Sequence, residues 1–168
     1  MAATQSFDVT TGCDLQEVDN AVNQALKEIR QRYDFKGVNV SIEFRRAENK
    51  LILRALDEFK LRAMWEVVLE KMVRRQVPVK NLKPGKVQPA AGATVMQEVD
   101  LQQGIPIETA RAIVKFVKEL KIKKLQAEIQ GDQVRISSPS RDDLQRVISN
   151  LREADFGLEL RYGNYRGN

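Results

Sequence analysis

The side chains with the most chemistry to offer are cations on alternating stretches. Arg54, Arg135 and Arg161 each stand on the polar side of a run in which apolar and polar residues alternate. A strand holds such a guanidinium rigidly, and its planar fork grips a phosphate or a guanine edge through two bonds at once. Gln130 ends another run of this kind, with an amide that both donates and accepts. Lys121, Lys123 and Lys124 cluster between a helical stretch and a strand, where flexible ammonium groups meet an anion or simply complement the helix macrodipole. These seven residues are the candidate site, and the chemistry they offer is capture of a phosphorylated ligand.

Catalytic chemistry is poorly supplied. The chain has no histidine, which removes imidazole acid–base catalysis, histidine metal ligation and every nucleophile–histidine dyad. Cys13 is the single cysteine, so neither a disulfide framework nor a cysteine metal site forms. The pair Asp142–Asp143 follows a capping serine at a helix start and lacks companion ligands for a metal. No Walker GxxxxGK[ST] and no GxGxxG after a strand occurs. The expectation is a binding protein that is not an enzyme and carries no cofactor or metal.

Composition agrees with that expectation. The 168 residues carry a formal net charge of +5, which suits a phosphate-bearing partner, although a charge of this size also serves as ordinary solvated surface. Residues 1–90 hold 16 basic and 12 acidic side chains against 12 and 11 in residues 91–168, so the excess lies mainly in the first half. No apolar run has membrane-spanning length and no signal-peptide pattern opens the chain, which predicts a cytoplasmic protein without membrane contact.

The elements that must position the candidate residues occur in two copies. In the first, Asp14 caps a helix with Glu17 at capping-box spacing, and Leu15, Val18, Val22, Leu26, Ile29 and Tyr33 form its apolar stripe. After Gly37, Val38, Val40, Ile42 and Phe44 alternate with Asn39, Ser41, Glu43 and Arg45; a polar turn then leads to a return strand over 50–55. A second helix after Asp57 buries Leu61, Trp65, Val68, Leu69 and Met72, with Trp65 read as core. In the second copy, Pro106 opens a helix that buries Ile107, Ala110, Ile113, Val114, Val117 and Leu120. A hairpin turns at Gly131–Asp132, Ser140 caps the last helix, and a final strand alternates through Leu158, Leu160 and Tyr162 before a polar tail with Tyr165 and Arg166. Tyr33-Asp34-Phe35 and Ala154-Asp155-Phe156 echo one another at helix-to-strand corners, where the phenylalanines read as plugs.

With a strand-like stretch before each copy (6–10 and 94–101), the pattern is βαββαβ written twice. The fold class is α+β: a tandem of two ferredoxin-like sandwiches, each an antiparallel four-stranded sheet covered on one face by two helices. The expected domains are 1–90 and 91–168. Residues 77–93, broken by Pro78, Pro84, Gly85, Pro89 and Gly92, form the linker, with a strand near 79–82. An exchange of the two leading strands between the sheets fits the alternation equally well. The free sheet faces then carry Asn39, Ser41, Glu43 and Arg54 in one half and Gln126, Glu128, Gln130, Arg135 and Arg161 in the other. They lack the aromatic residues on which an RNA-recognition motif stacks bases, so RNA would be held through its phosphates.

Several long strings place the chain beside a known family. Ser6-Phe7-Asp8-Val9, residues 14–21, Arg32-Tyr33-Asp34-Phe35-Lys36-Gly37, Ile129-Gln130-Gly131-Asp132, Arg141-Asp142-Asp143-Leu144-Gln145, Asp155-Phe156 and Asn164-Tyr165-Arg166 closely resemble the YajQ family of small bacterial nucleotide-binding proteins over nearly the whole length. The resemblance implies tandem ferredoxin-like domains and binding of purine nucleotides and of tRNA. In some relatives it implies cyclic di-GMP as a signalling ligand and contact with transcription regulators. The RxxxR and DxSxxG motifs of PilZ-type cyclic di-GMP receptors are missing. The sequence reading is therefore a non-catalytic effector that binds purine nucleotides or cyclic di-GMP. An RNA- or tRNA-associated module, or an adaptor for a transcription regulator, is the alternative.

Overall fold

The computed structural model describes residues 4–32 and 40–167. In chain order the elements are β1 (Gln5–Thr10), α1 (Leu15–Gln31), β2 (Ser41–Arg45), β3 (Lys50–Ala55), α2 (Glu58–Arg74), β4 (Leu82–Pro84), β5 (Gln88–Ala90), β6 (Thr94–Leu101), α3 (Ile107–Glu119), β7 (Gln126–Gln130), β8 (Gln133–Ser138), α4 (Arg141–Glu153) and β9 (Arg161–Arg166). Tyr33-Asp34-Phe35, Gly37, Val38 and Asn39, named above for a corner plug, a helix stop and a strand, lie outside the described residues.

Two antiparallel sheets form, one of four strands in the order β7-β8-β1-β9, the other of five, β2-β3-β6-β4 with β5 also paired to β6. Both are ferredoxin-like. The leading strands are exchanged: β1 sits between β8 and β9, and β6 sits between β3 and β4. One compact unit is accordingly residues 1–11 with 104–168 and the other is 12–103, in place of a division at residue 90. The first is an ordinary βαββαβ unit with Gly12–Gln103 inserted after its first strand. The second is circularly permuted, its central strand β6 coming last. Residues 77–93 are no linker, because β4 and β5 pair along β6 and belong to the sheet. The chain passes between units at Thr11–Gly12 and again at Gln103–Gly104.

Each unit has its own core. Helices α3 and α4 bury Ala110, Ile113, Val117, Leu144, Val147, Ile148 and Leu151 against Phe7, Val9, Val134 and Ile136. Helices α1 and α2 bury Val18, Ala21, Val22, Ile29, Leu61, Met64, Val68 and Met72 against Leu51, Leu53, Val99 and Leu101. Trp65 packs on this second core, half-buried. Phe156 fills a corner of the first, edge-on to Phe116 at 5.6 Å between ring centres.

Local signals were mostly kept, with three exceptions. Ile107, expected among the residues buried by α3, is the first residue of that helix and is 50% exposed. Asp14, Asp57 and Ser140 accept backbone N–H bonds as helix caps. Glu17 does not fold back on its cap; its carboxylate takes two bonds from Arg75, at 2.6 and 3.1 Å, because a charged fork from α2 outcompetes a neutral N–H. The last strand runs from Arg161 to Arg166, so the expected polar tail is strand and Leu158 precedes it, buried. A bulge opposite Ser6–Asp8, with Asn164 in the left-handed region at φ 52°, shifts the pairing and sends Tyr165 and Arg166 alongside the start of β1.

Candidate functional site

Strand register fixes what stands on the uncovered face of the four-stranded sheet. Phe7 and Val9 point to the helices, so Ser6, Asp8 and Thr10 point away. Asp8 lies opposite Arg135 on β8, Arg135 lies opposite Glu128 on β7, and Gly163 of β9 flanks Asp8 on its other side. Asp8 is 4% exposed. Its Oδ1 accepts from Arg135 Nε at 3.0 Å and its Oδ2 from Asn164 Nδ2 at 2.5 Å. Burial, the largest single influence, pushes its carboxyl pKa up. The bonds from Arg135 and Asn164 and the charges of Arg135 and Arg166 together outweigh it, so the carboxyl titrates below its ordinary range. The Arg135 guanidinium is raised in return, first by its bond to Asp8. This carboxylate is a fixed anion holding three strands together, and the Nε of Arg135 is committed to it.

The seven residues read from the sequence are only partly assembled. Arg135, Gln130 and Arg161 share this face, Gln130 at the β7–β8 hairpin and Arg161 opposite Thr10. Gln130 donates to Glu128 at 3.4 Å. Lys121, Lys123 and Lys124 stand exposed at the α3–β7 corner. Lys121 and Lys124 have left-handed backbones there, φ 54° and 64°, a conformation uncommon for residues with a Cβ. Arg54 belongs to the other unit, where its guanidinium lies 3.9 Å from Glu43.

A better-formed site lies at the end of the sheet where β1 starts and β9 ends. A cavity of about 320 Å³ opens there between the first turn of α4 and the two strands. Arg141, Leu144 and Gln145 line it from α4, Gln5 and Ser6 from β1, and Tyr165, Arg166 and Gly167 from the C-terminal end. The bulge at Asn164, pinned to Asp8, brings the last group here. Gly167 closes it: at φ 145° it lies so near Gln5 that a Cβ would sit 2.5 Å from Gln5 Cγ. Tyr165 is 62% exposed, with its ring 6.1 Å from buried Phe7. Neither Arg141 nor Arg166 makes an ion pair among the described residues. Volume and lining fall in the range of small-molecule sites, about 300–1,000 Å³. Two guanidinium groups select an anion, the amide and hydroxyl offer directional bonds, and the aromatic ring offers a stacking face.

Periodicity did not single out these residues, because each reads locally as something else: a strand start, a helix start, a polar tail. The available signal was the set of strings that carried the family resemblance. Three of them, Ser6-Phe7-Asp8-Val9, the run from Arg141 to Gln145, and Asn164-Tyr165-Arg166, meet at this cavity or support its wall. Among the described residues there is no group of three or more carboxylate or cysteine side chains able to hold a metal. No helix there is long and apolar enough to cross a membrane.

The family described as nucleotide-binding protein YajQ-like matches residues 5–166. A nucleotide-binding protein of Solibacter usitatus is 47% identical over 97% of this chain and 98% of its own length. Those of Chloroherpeton thalassium and Carboxydothermus hydrogenoformans are 46% and 48% identical, each over 99% of this chain and 100% of their own length. With the match running from β1 into β9 and relatives nearly half identical over their whole length, one conclusion follows: the chain belongs to the YajQ-like nucleotide-binding protein family.

Proposed function

We propose that this protein binds a purine nucleotide without transforming it, in the cavity between β1, β9 and the start of α4. The observation that supports this most is the meeting of Arg141 and Arg166 with exposed Tyr165 in one hollow. In this reading the guanidinium groups take the phosphates. Gln145 and Ser6 bond the sugar or the base edge, and the Tyr165 ring stacks on the base, for which a large purine is the better match.

The volume, about 320 Å³, suits one nucleotide unit; cyclic di-GMP would seat one guanine and its phosphate and leave the other half outside. A non-catalytic role is in keeping with a chain that has no histidine for acid–base work. The Asp8 carboxyl is held ionised by Arg135 and Asn164, opposite to what a general acid requires. The cytoplasm, where nucleotides are held, is the compartment implied.

Calorimetric titration of the full chain with GTP, ATP, cyclic di-GMP and tRNA at physiological salt tests the reading. Saturable binding of a purine nucleotide, weakened about tenfold or more by Arg141→Ala or Arg166→Ala, is expected. No saturable binding to any mononucleotide or dinucleotide overturns it. Binding of tRNA alone, with affinity falling steeply as salt rises, would replace it with recognition of RNA phosphates.

A further inference from the structure

A second recessed surface lies along the seam between α3 and β7, away from the cavity described above. It is a groove of about 460 Å³ with Val114 and Ile129 in its floor and Arg111, Lys115, Lys118 and Lys121 on its rim, against a single acid, Glu119. A smaller hollow of about 120 Å³ continues it past Lys118, over Ile122, Leu125 and Ala127. Arg111, Lys115 and Lys118 follow one another at helical spacing along one stripe of α3. All four cations are exposed, and none makes an ion pair among the described residues. Strand β7 is an edge of its sheet: it pairs with β8 on one side, and among the described residues no strand pairs with the other.

We infer that this groove binds an extended acidic segment of another protein, with apolar side chains at alternate positions, which adds to β7 as a further strand. The open edge of β7 offers backbone N–H and C=O groups that an extended peptide satisfies. Its apolar side chains, every second residue, drop against Val114 and Ile129. Its carboxylates meet the four rim cations, whose long stems let the charged ends reach around the strand edge. A nucleic acid would satisfy the lysines alone. It has no backbone to pair with a strand edge and nothing to bury in an aliphatic floor that lacks any aromatic ring for a base. Lys121 is then a docking residue. The assignment stands apart from the nucleotide reading, since the two sites share no residue.

The test is fluorescence anisotropy of a labelled synthetic peptide alternating valine with glutamate, titrated with the full chain. A Lys115→Glu/Lys118→Glu double variant, whose fold is checked by circular dichroism, serves as the comparison. The expected result is saturable binding that weakens with salt, is lost by about tenfold or more in the variant, and slows amide hydrogen exchange at Gln126–Gln130. Nucleotide titration of the variant is expected to match the parent, so failure here and failure of the nucleotide reading are distinct outcomes. The inference is overturned by any of four results: no peptide binding, equal binding by the variant, unchanged exchange along β7, or a single-stranded oligonucleotide binding the rim where the peptide does not.

Discussion

Counted outward from their hairpins, the middle rows of the two sheet faces turned away from the helices correspond, with Ile52 and Asp8 both buried. In the five-stranded sheet the row is Glu43–Ile52–Glu98, and in the four-stranded sheet it is Glu128–Arg135–Asp8. The outer positions are acidic in both; the central one is Ile52 in one unit and Arg135 in the other. With an aliphatic residue between them, Glu43 and Glu98 recruit cations from neighbouring rows: Arg45 at 3.3 Å and Arg54 at 3.9 Å for Glu43, Lys50 at 3.4 Å for Glu98. These are half-exposed pairs, and such pairs contribute little. With arginine in the centre, Asp8 is almost fully enclosed, takes a second donor from Asn164, and fixes the bulge that aims Tyr165 and Arg166 at the cavity. Arginine in place of isoleucine at the centre, with Asp8 and Asn164 beside it, thus separates a face whose acids pair with neighbouring rows from one whose ion pair positions a binding wall.

The sharpest way to break this comparison is Phe7→Ala. Phe7 is fully buried in the core shared with α3 and α4, and the truncation is expected to cost about 3–5 kcal/mol. Hydrogen exchange should show protection lost across residues 104–166 before residues 12–103. If 12–103 loosens first, the assignment of β1 to the later half of the chain collapses.

Asp8→Asn comes next, at about 1–3 kcal/mol, because it turns an acceptor toward a donor in a buried network; the matching Glu98→Gln should stay within about 0.5 kcal/mol. Asp8 also has a pH signature. Its folded pKa lies below the unfolded value of about 3.9, so the unfolded state takes up its proton first as pH falls. The stability it supplies is complete above that value and is lost as pH drops through the folded pKa. Urea unfolding at neutral and strongly acidic pH should show Asp8→Asn removing part of the acid loss. Equal acid sensitivity in parent and variant would count against the ion pair.

Arg166→Ala sharpens the comparison on the side of binding, with purine nucleotide affinity down about tenfold, near 1.4 kcal/mol, and the melting temperature nearly unchanged. The smallest effect belongs to Arg54→Ala, which should alter neither stability, within about 0.5 kcal/mol, nor nucleotide affinity. A drop in affinity there would move the site to the other unit.

Much of this architecture was legible along the chain because it rests on short-range rules. Capping by Asp14, Asp57 and Ser140, the hairpin at Gly131 and the stripes of α1, α3 and α4 are each decided within a few residues. Strand partnership is decided elsewhere. Residues 6–10 and 94–101 alternate alike, so only packing against distant strands could assign them, and their exchange was one of two equal readings. The bulge at Asn164 depends on Asp8, far away in sequence, which is why the last strand was expected several residues early. Arg135 and Arg161 were found by alternation, yet alternation could not show that Arg135 is occupied by Asp8. No local pattern marks the cavity, because Ser6, Arg141 and Arg166 become neighbours only after the four-stranded sheet closes.

The insertion of one unit inside the other also sets an order of events at the ribosome. Asp8 and Arg135 are 127 positions apart, so at about 5–20 residues per second the first strand waits on the order of ten seconds for its partners to be made. Residues 12–103 have by then emerged with every strand they need. Strand β1, carrying Phe7 and Val9, meanwhile remains an unpaired ribbon exposing two side chains that the folded unit buries.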